Sequence, residues 1–297
     1  MREAWTGVGT ALITPFTRGG EVDEAAVKRL ARRQIEAGVH FLVPCGTTGE
    51  TPTLSDREKR RVVELVVEEA RGQVPVLAGA GGYDTKEVVH AAREMQKAGA
   101  SGLLSVTPYY NKPTPEGLFQ HFSAVADATP LPIVLYNVPG RTGCNMDAPT
   151  VARLATIPHV VGVKEASGNM QQMCEVCLAV PASFTVLCGD DALALPLMAV
   201  GGRGVISVAS NLVPDRMAGL VNAALAGDFA AARATHAALL PLMLVNFIES
   251  NPIPVKSALA MLGLCKEVYR LPMVPPSEAS KARIRQTLAD VGLMAVV

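Results

Sequence analysis

The chain lacks any apolar run of the eighteen or so residues that a membrane helix needs. Its N-terminus, Met1-Arg2-Glu3-Ala4-Trp5, enters an apolar stretch that Pro15 and Arg18 cut short, with no signal-peptide cleavage pattern, so a cytoplasmic protein without a membrane partner is expected. An excess of either charge is also missing. Lys+Arg and Asp+Glu number 27 each in 297 residues, which argues against nucleic acid as a partner. Cysteine is sparse and scattered: Cys45, Cys144, Cys174, Cys177, Cys188 and Cys265 fit free thiols in a reduced compartment. Cys174-Glu175-Val176-Cys177 has redox or zinc-like spacing, but it lies in a helical stretch with no second pair and no nearby histidine, and reads as two small buried hydrophobes. His40, His90, His121, His159 and His236 show no metal-ligand spacing and read as surface or interface residues. Gly79-Ala80-Gly81-Gly82 follows a strand but departs from Gly-x-Gly-x-x-Gly and has no acidic partner at the expected distance. With no phosphate loop either, the sequence calls for no cofactor and no metal.

What is present is a long alternation of short apolar strands and amphipathic helices. With 49% hydrophobic residues the chain can bury a large core. The strands read as Val8 to Ile13, Phe41 to Val43, Val74 to Ala78, Gly102 to Val106, Ile133 to Tyr136, Val160 to Lys164, Thr185 to Cys188 and Gly204 to Ser207. Between them lie helix signals. Val27, Leu30, Ala31 and Ile35 recur at helical spacing before Gly38, Ser55 and Glu58 have capping-box spacing, Asp84 repeats the cap, and Thr114-Pro115 opens a further helix. Eight such units indicate an α/β fold, a (β/α)8 TIM barrel rather than an open doubly wound sheet. After Pro214 the strands stop. Ala223 to Phe247, Val255 to Leu262 and Ser277 to Val291 read as helices, giving a barrel domain over residues 1–224 and a C-terminal helical appendage over 225–297.

In such barrels chemistry gathers at the C-terminal ends of the strands. There the chain places Gly46-Thr47-Thr48-Gly49-Glu50, Tyr109-Tyr110-Asn111, Tyr136-Asn137-Val138-Pro139-Gly140-Arg141-Thr142-Gly143 and Lys164. The buried run Val160-Val161-Gly162-Val163 ends on that lysine. Partial desolvation there favours the neutral amine, the form that attacks a carbonyl. Tyr136 and Lys164 close consecutive strands, so they should sit at one height about 5 Å apart, where a phenol could exchange protons with a carbinolamine forming on the amine.

These motifs, with Gly204-Val205-Ile206-Ser207 and Asn251-Pro252-Ile253-Pro254-Val255-Lys256, resemble the signatures of the 4-hydroxy-tetrahydrodipicolinate synthase (dihydrodipicolinate synthase) family, in the N-acetylneuraminate lyase and pyruvate-dependent class I aldolase superfamily. The resemblance runs over essentially the whole chain. It implies a lyase that condenses pyruvate, as a Schiff base on Lys164, with L-aspartate-4-semialdehyde, on the route to diaminopimelate and lysine. It makes Tyr136 the proton donor and acceptor, and Thr48 the pyruvate-carboxylate site. Thr47 joins Thr48 in the region linking Tyr136 to Tyr110, and Tyr110 reaches in from a neighbouring subunit of a homotetramer built as a dimer of dimers. Arg141 would bind the semialdehyde carboxylate, and Gly189 and Ile206 would line the pyruvate pocket.

Lysine-regulated members of that family often carry histidines early in the second helix and an asparagine after the third strand. This chain has Asp56, Lys59 and Tyr83 there, while Glu87 and Tyr109 remain, so weak or absent feedback by lysine is expected. The same barrel also serves N-acetylneuraminate lyase and 2-keto-3-deoxy-sugar-acid aldolases. Arg141 and the second threonine of Gly-Thr-Thr-Gly favour the synthase. A silent scaffold or pyruvate sensor would usually have lost Lys164, Tyr136 or Arg141, and all three are present.

Overall fold

Alternate residues of a strand face opposite ways, and in this chain the two faces meet different neighbours. The computed structural model describes residues 5–295; Met1 to Ala4, the start of the N-terminus read above as lacking a signal sequence, and the last two residues lie outside the described residues. The strands and helices alternate as β1 (Gly7–Ala11), α1 (Glu24–Glu36), β2 (Phe41–Val43), α2 (Asp56–Ala70), β3 (Leu77–Gly79), α3 (Thr85–Lys97), β4 (Gly102–Val106), α4 (Pro115–Asp127), β5 (Ile133–Asn137), α5 (Pro139–Thr142), α6 (Ala148–Leu154), β6 (Val160–Glu165), α7 (Met170–Ala179), β7 (Thr185–Cys188), α8 (Ala194–Ala199) and β8 (Gly204–Ser207). All pairings are parallel, in the order β2-β1-β8-β7-β6-β5-β4-β3. The two end strands then meet. Leu42 bridges Val76, Leu42 N–H donates to the Pro75 carbonyl at 3.0 Å and Gly79 N–H to that of Pro44 at 3.0 Å, which closes the sheet into a (β/α)8 barrel and rules out the open alternative.

Outward-facing Ile133, Leu135 and Val163 pack under the helices, whereas inward-facing Val134 and Tyr136 meet Phe41, Leu77, Leu104, Leu187 and Ile206 inside the barrel. Because Val163 faces out, Lys164 faces in. The helix starts follow their capping residues. Asp23, Ser55, Asp84 and Thr114 each accept from a first-turn backbone N–H, and at α2 the reciprocal Glu58 contact completes a capping box.

Several boundaries differ from the sequence reading, each for a local reason. The third strand starts later than Val74, because Pro75 offers only a carbonyl to its neighbour. The first ends at Ala11, since Ile13 N–H donates to the Asn211 side chain at 3.3 Å instead of to a strand. The single helix expected from Ala223 to Phe247 is two, α9 (Pro214–Leu225) and α10 (Phe229–Val245), parted at Gly227, whose φ of +83° suits glycine, and restarted by the Asp228 cap. His121 is buried rather than superficial. It shares a hydrogen bond with Thr85 Oγ1 at 2.9 Å, and burial lowers its pKa to about 4. The chain then continues through α11 (Ile253–Met261) and α12 (Glu278–Asp290). No helix among the described residues is long and apolar enough to cross a membrane.

Candidate active site

Tyr136 and Lys164 are direct partners in the β5–β6 register, and both are buried. The Lys164 Nζ lies 4.1 Å from the centroid of the Tyr136 ring. On the next inward strand Gly189 follows β7. A Cβ there would fall 2.5 Å from the Ala166 Cβ and 3.0 Å from the Lys164 Cε, so the glycine leaves the lysine stem its room. Ile206 lies buried in the same interior cluster as Tyr136. These four expected residues therefore converge on one end of the barrel lumen.

Just beyond the Tyr136–Lys164 pair, the two strands are clamped from the outside. Asn137 and Glu165 are the next register partners. The buried Glu165 carboxylate accepts from Asn137 Nδ2 at 2.9 Å, from Ser167 N–H at 2.7 Å and from Gln172 Nε2 at 3.3 Å. Asn145 joins the network by accepting from Asn137 and donating to Gln172. Every buried polar atom of this carboxylate thus has a donor, which holds the ends of β5 and β6 in one arrangement.

Across the lumen, Thr47 and Thr48 sit in a 3-10 turn over Thr47–Gly49 that Glu50 ends in the left-handed region, at φ +54°. Thr14 Oγ1 donates to the Gly49 carbonyl at 2.7 Å, and Thr51 Oγ1 to that of Gly46 at 2.8 Å. The rest of the turn's support comes from the far end of the chain. Thr48 Oγ1 accepts from Asn251 Nδ2 at 3.0 Å, and the Asn251 carbonyl accepts from Arg141 Nη2 at 3.2 Å. Glu50, 3% exposed, forms an ion pair with Lys256, which is fully buried in α11. Lys256 also donates to the Val268 carbonyl at 2.9 Å, and its Nζ lies 4.1 Å from the Phe16 ring centroid. Burial lowers the lysine's pKa, and the Glu50 carboxylate opposes that fall. Arg270 stacks on the same Phe16 at 4.5 Å and donates to Glu58 and to the Thr53 carbonyl.

A cavity of about 290 Å³ opens between these walls, bordered by Thr47, Tyr109, Tyr136 and Arg141, with Cys45 and Lys59 further along. Burial pushes the Cys45 thiol up to about 12, so it stays protonated and is no nucleophile. Arg141 is exposed at the cavity border, where a guanidinium fork can meet a carboxylate. Tyr110 does not join the others: its side chain is 91% exposed, on backbone with φ +69°. Tyr109, its neighbour, instead packs edge-on against Tyr83, with centroids 5.2 Å apart.

Sequence reasoning singled out neither Glu165 with Asn137 nor Asn251 as site residues. One signal was available for Lys256: a lone lysine within Ile-Pro-Val-Lys-Ser-Ala-Leu-Ala-Met implies a buried anion somewhere.

Comparison with known proteins gives a consistent result. The model of the dihydrodipicolinate synthetase family matches residues 4–291. A 4-hydroxy-tetrahydrodipicolinate synthase of Koribacter versatilis is 52% identical over 289 residues, covering 97% of this chain and 96% of the relative. One from Maridesulfovibrio salexigens is 50% identical, covering 97% and 99%. The crystal structure of dihydrodipicolinate synthase from Aquifex aeolicus superposes with a TM-score of 0.95 at 44% identity, covering 97% of this chain and 99% of that one.

Proposed function

The chain belongs to the dihydrodipicolinate synthetase family, and from that premise we propose that it condenses pyruvate with L-aspartate-4-semialdehyde as a 4-hydroxy-tetrahydrodipicolinate synthase, a lyase of diaminopimelate and lysine biosynthesis. The observation that carries the reading is the buried Lys164 amine, in register with Tyr136 and 4.1 Å from its ring. Lys164 attacks the pyruvate ketone. Tyr136, with Thr47, moves the protons that turn the carbinolamine into an imine, protonating the hydroxyl so that it leaves as water. The protonated imine nitrogen then accepts the electron pair left when the methyl carbon loses a proton, and the resulting enamine attacks the semialdehyde carbon. The substrate's own amine finally displaces Lys164 as the ring closes. Thr48 holds the pyruvate carboxylate, Gly189 and Ile206 shape the pyruvate pocket, and Arg141 holds the carboxylate of the second substrate.

In this reading the protein is a cytoplasmic homotetramer in which Tyr110 completes the proton path of a neighbouring subunit. Its 91% exposure supports that role. The chain divides into a barrel over 1–224 and a helical appendage over 225–297, a division supported by the absence of further strands among the described residues after β8. Feedback by lysine is weak or absent, a reading supported by Lys59, which borders the cavity and pairs with Asp56 at 3.1 Å where regulated members often carry histidines.

Borohydride reduction with pyruvate, followed by peptide mapping, tests the mechanism. A pyruvyl adduct on Lys164 is expected, and its absence in folded protein would overturn the imine chemistry. Turnover of aspartate semialdehyde in preference to sugar-acid aldehydes then separates the synthase from the lyase-like alternatives.

A further inference from the structure

A carboxylate can only accept hydrogen bonds, so a threonine that serves one must have its hydroxyl proton free to give. The structure assigns that task of orientation to Asn251: we propose that it is a positioning residue whose amide sets the Thr48 hydroxyl to donate to the carboxylate of pyruvate. This rests on the reading of Thr48 given above. Asn251 Nδ2 donates to Thr48 Oγ1 at 3.0 Å, which occupies the oxygen's acceptor side. Among the described residues the hydroxyl makes no hydrogen bond as a donor, which leaves its proton free for a ligand. Donation into the oxygen also polarises the O–H, and both groups are buried, where such cooperation is strongest.

Two further observations separate this role from mere filling of space. The Asn251 Oδ1 is buried with no hydrogen-bond partner. An acceptor left so costs about 1–3 kcal/mol, which an apolar residue of similar size would avoid. The backbone carbonyl of the same residue accepts from Arg141 Nη2 at 3.2 Å, so Asn251 touches the groups proposed for both substrate carboxylates by different atoms. A side-chain change should then act on one substrate and leave the other alone.

The test is steady-state kinetics on the full chain, with both substrates varied, for Asn251→Ala, Asn251→Asp, Thr48→Val and the Thr48→Val/Asn251→Ala double variant. Asn251→Ala is expected to raise the KM for pyruvate about tenfold, the loss of one hydrogen bond supporting a charged group. The KM for the semialdehyde and kcat should stay within about twofold. Asn251→Asp can only accept, so it takes the Thr48 proton for itself and repels the substrate, and its pyruvate KM should rise further and recover as pH falls. In the Thr48→Val background, Asn251→Ala should add nothing. Should Asn251→Ala fail to fold, the isosteric Asn251→Asp decides. An unchanged pyruvate KM in both variants overturns the inference. So does a parallel rise for both substrates with a lowered melting temperature, the result of a purely structural role. Absence of any pyruvyl adduct on Lys164 in the unaltered chain would instead sink the functional reading itself.

Discussion

The two walls of the cavity do the same job with different parts of the chain. The β5–β6 wall, carrying Tyr136 and Lys164, is tied by Asn137, Asn145, Glu165 and Gln172, none more than 35 residues from another. The Gly46–Glu50 wall is tied by Asn251, Lys256 and Arg270, more than 200 residues away. The first is a neutral-amide network closing on one carboxylate. The second centres on a buried ion pair. What differs is the cost of losing a member, because a carboxylate with three donors keeps two, whereas a buried carboxylate that loses its cation keeps a charge without a counter-charge.

The largest effect expected from that difference is at α11. Lys256→Met leaves Glu50 buried and unpaired, and should cost about 3–5 kcal/mol in chemical denaturation, with most of it restored in a Glu50→Gln/Lys256→Met double variant. A loss under about 1 kcal/mol would show that the far wall does not depend on the ion pair. Gln172→Ala, on the near wall, should cost about 1–2 kcal/mol and leave borohydride trapping on Lys164 intact. A cost matching that of Lys256→Met would erase the contrast between the walls.

A subtler effect concerns acid. The Arg270 guanidinium lowers the pKa of Glu58 to about 2, chiefly by hydrogen bonding. A carboxyl depressed in the folded state stabilises it above the unfolded value, about 4.3, and the gain is lost as pH falls towards about 2. Arg270→Gln should therefore lower the melting temperature near neutrality, and the gap to the parent should narrow between those two pH values. A constant gap would mean that Arg270 acts through its stacking on Phe16 and its bonds to backbone carbonyls, and not through the Glu58 charge. The smallest expected effect is that of L-lysine. At micromolar concentration it should leave the rate unchanged, and clear inhibition there would refute the reading of Asp56, Lys59 and Tyr83.

The near wall was the legible one, and the reason is geometric. Lys164 and Tyr136 each end an apolar run, so the period of a strand alone predicts their height, and the register bears that out. The caps at Ser55, Asp84 and Thr114 were equally local. No periodicity connects Thr48 to Asn251 or Glu50 to Lys256, because two hundred intervening residues return the chain to that point only once the barrel has closed. Tyr110, 91% exposed, ends no apolar run, and its role entered only through the resemblance.

The Glu50–Lys256 pair also has a consequence for the order in which the protein is made. A ribosome delivers Tyr136 and Lys164 well before Lys256. Until then every strand can exist, but a carboxylate buried at Glu50 has no cation to meet it, and the turn bearing Thr48 has no amide to fix it. The nascent barrel therefore carries its amine on an unfinished floor. Arrival of α11 acts as a clock: translation must pass residue 256 before the Tyr136–Lys164 wall faces a settled turn at Thr48.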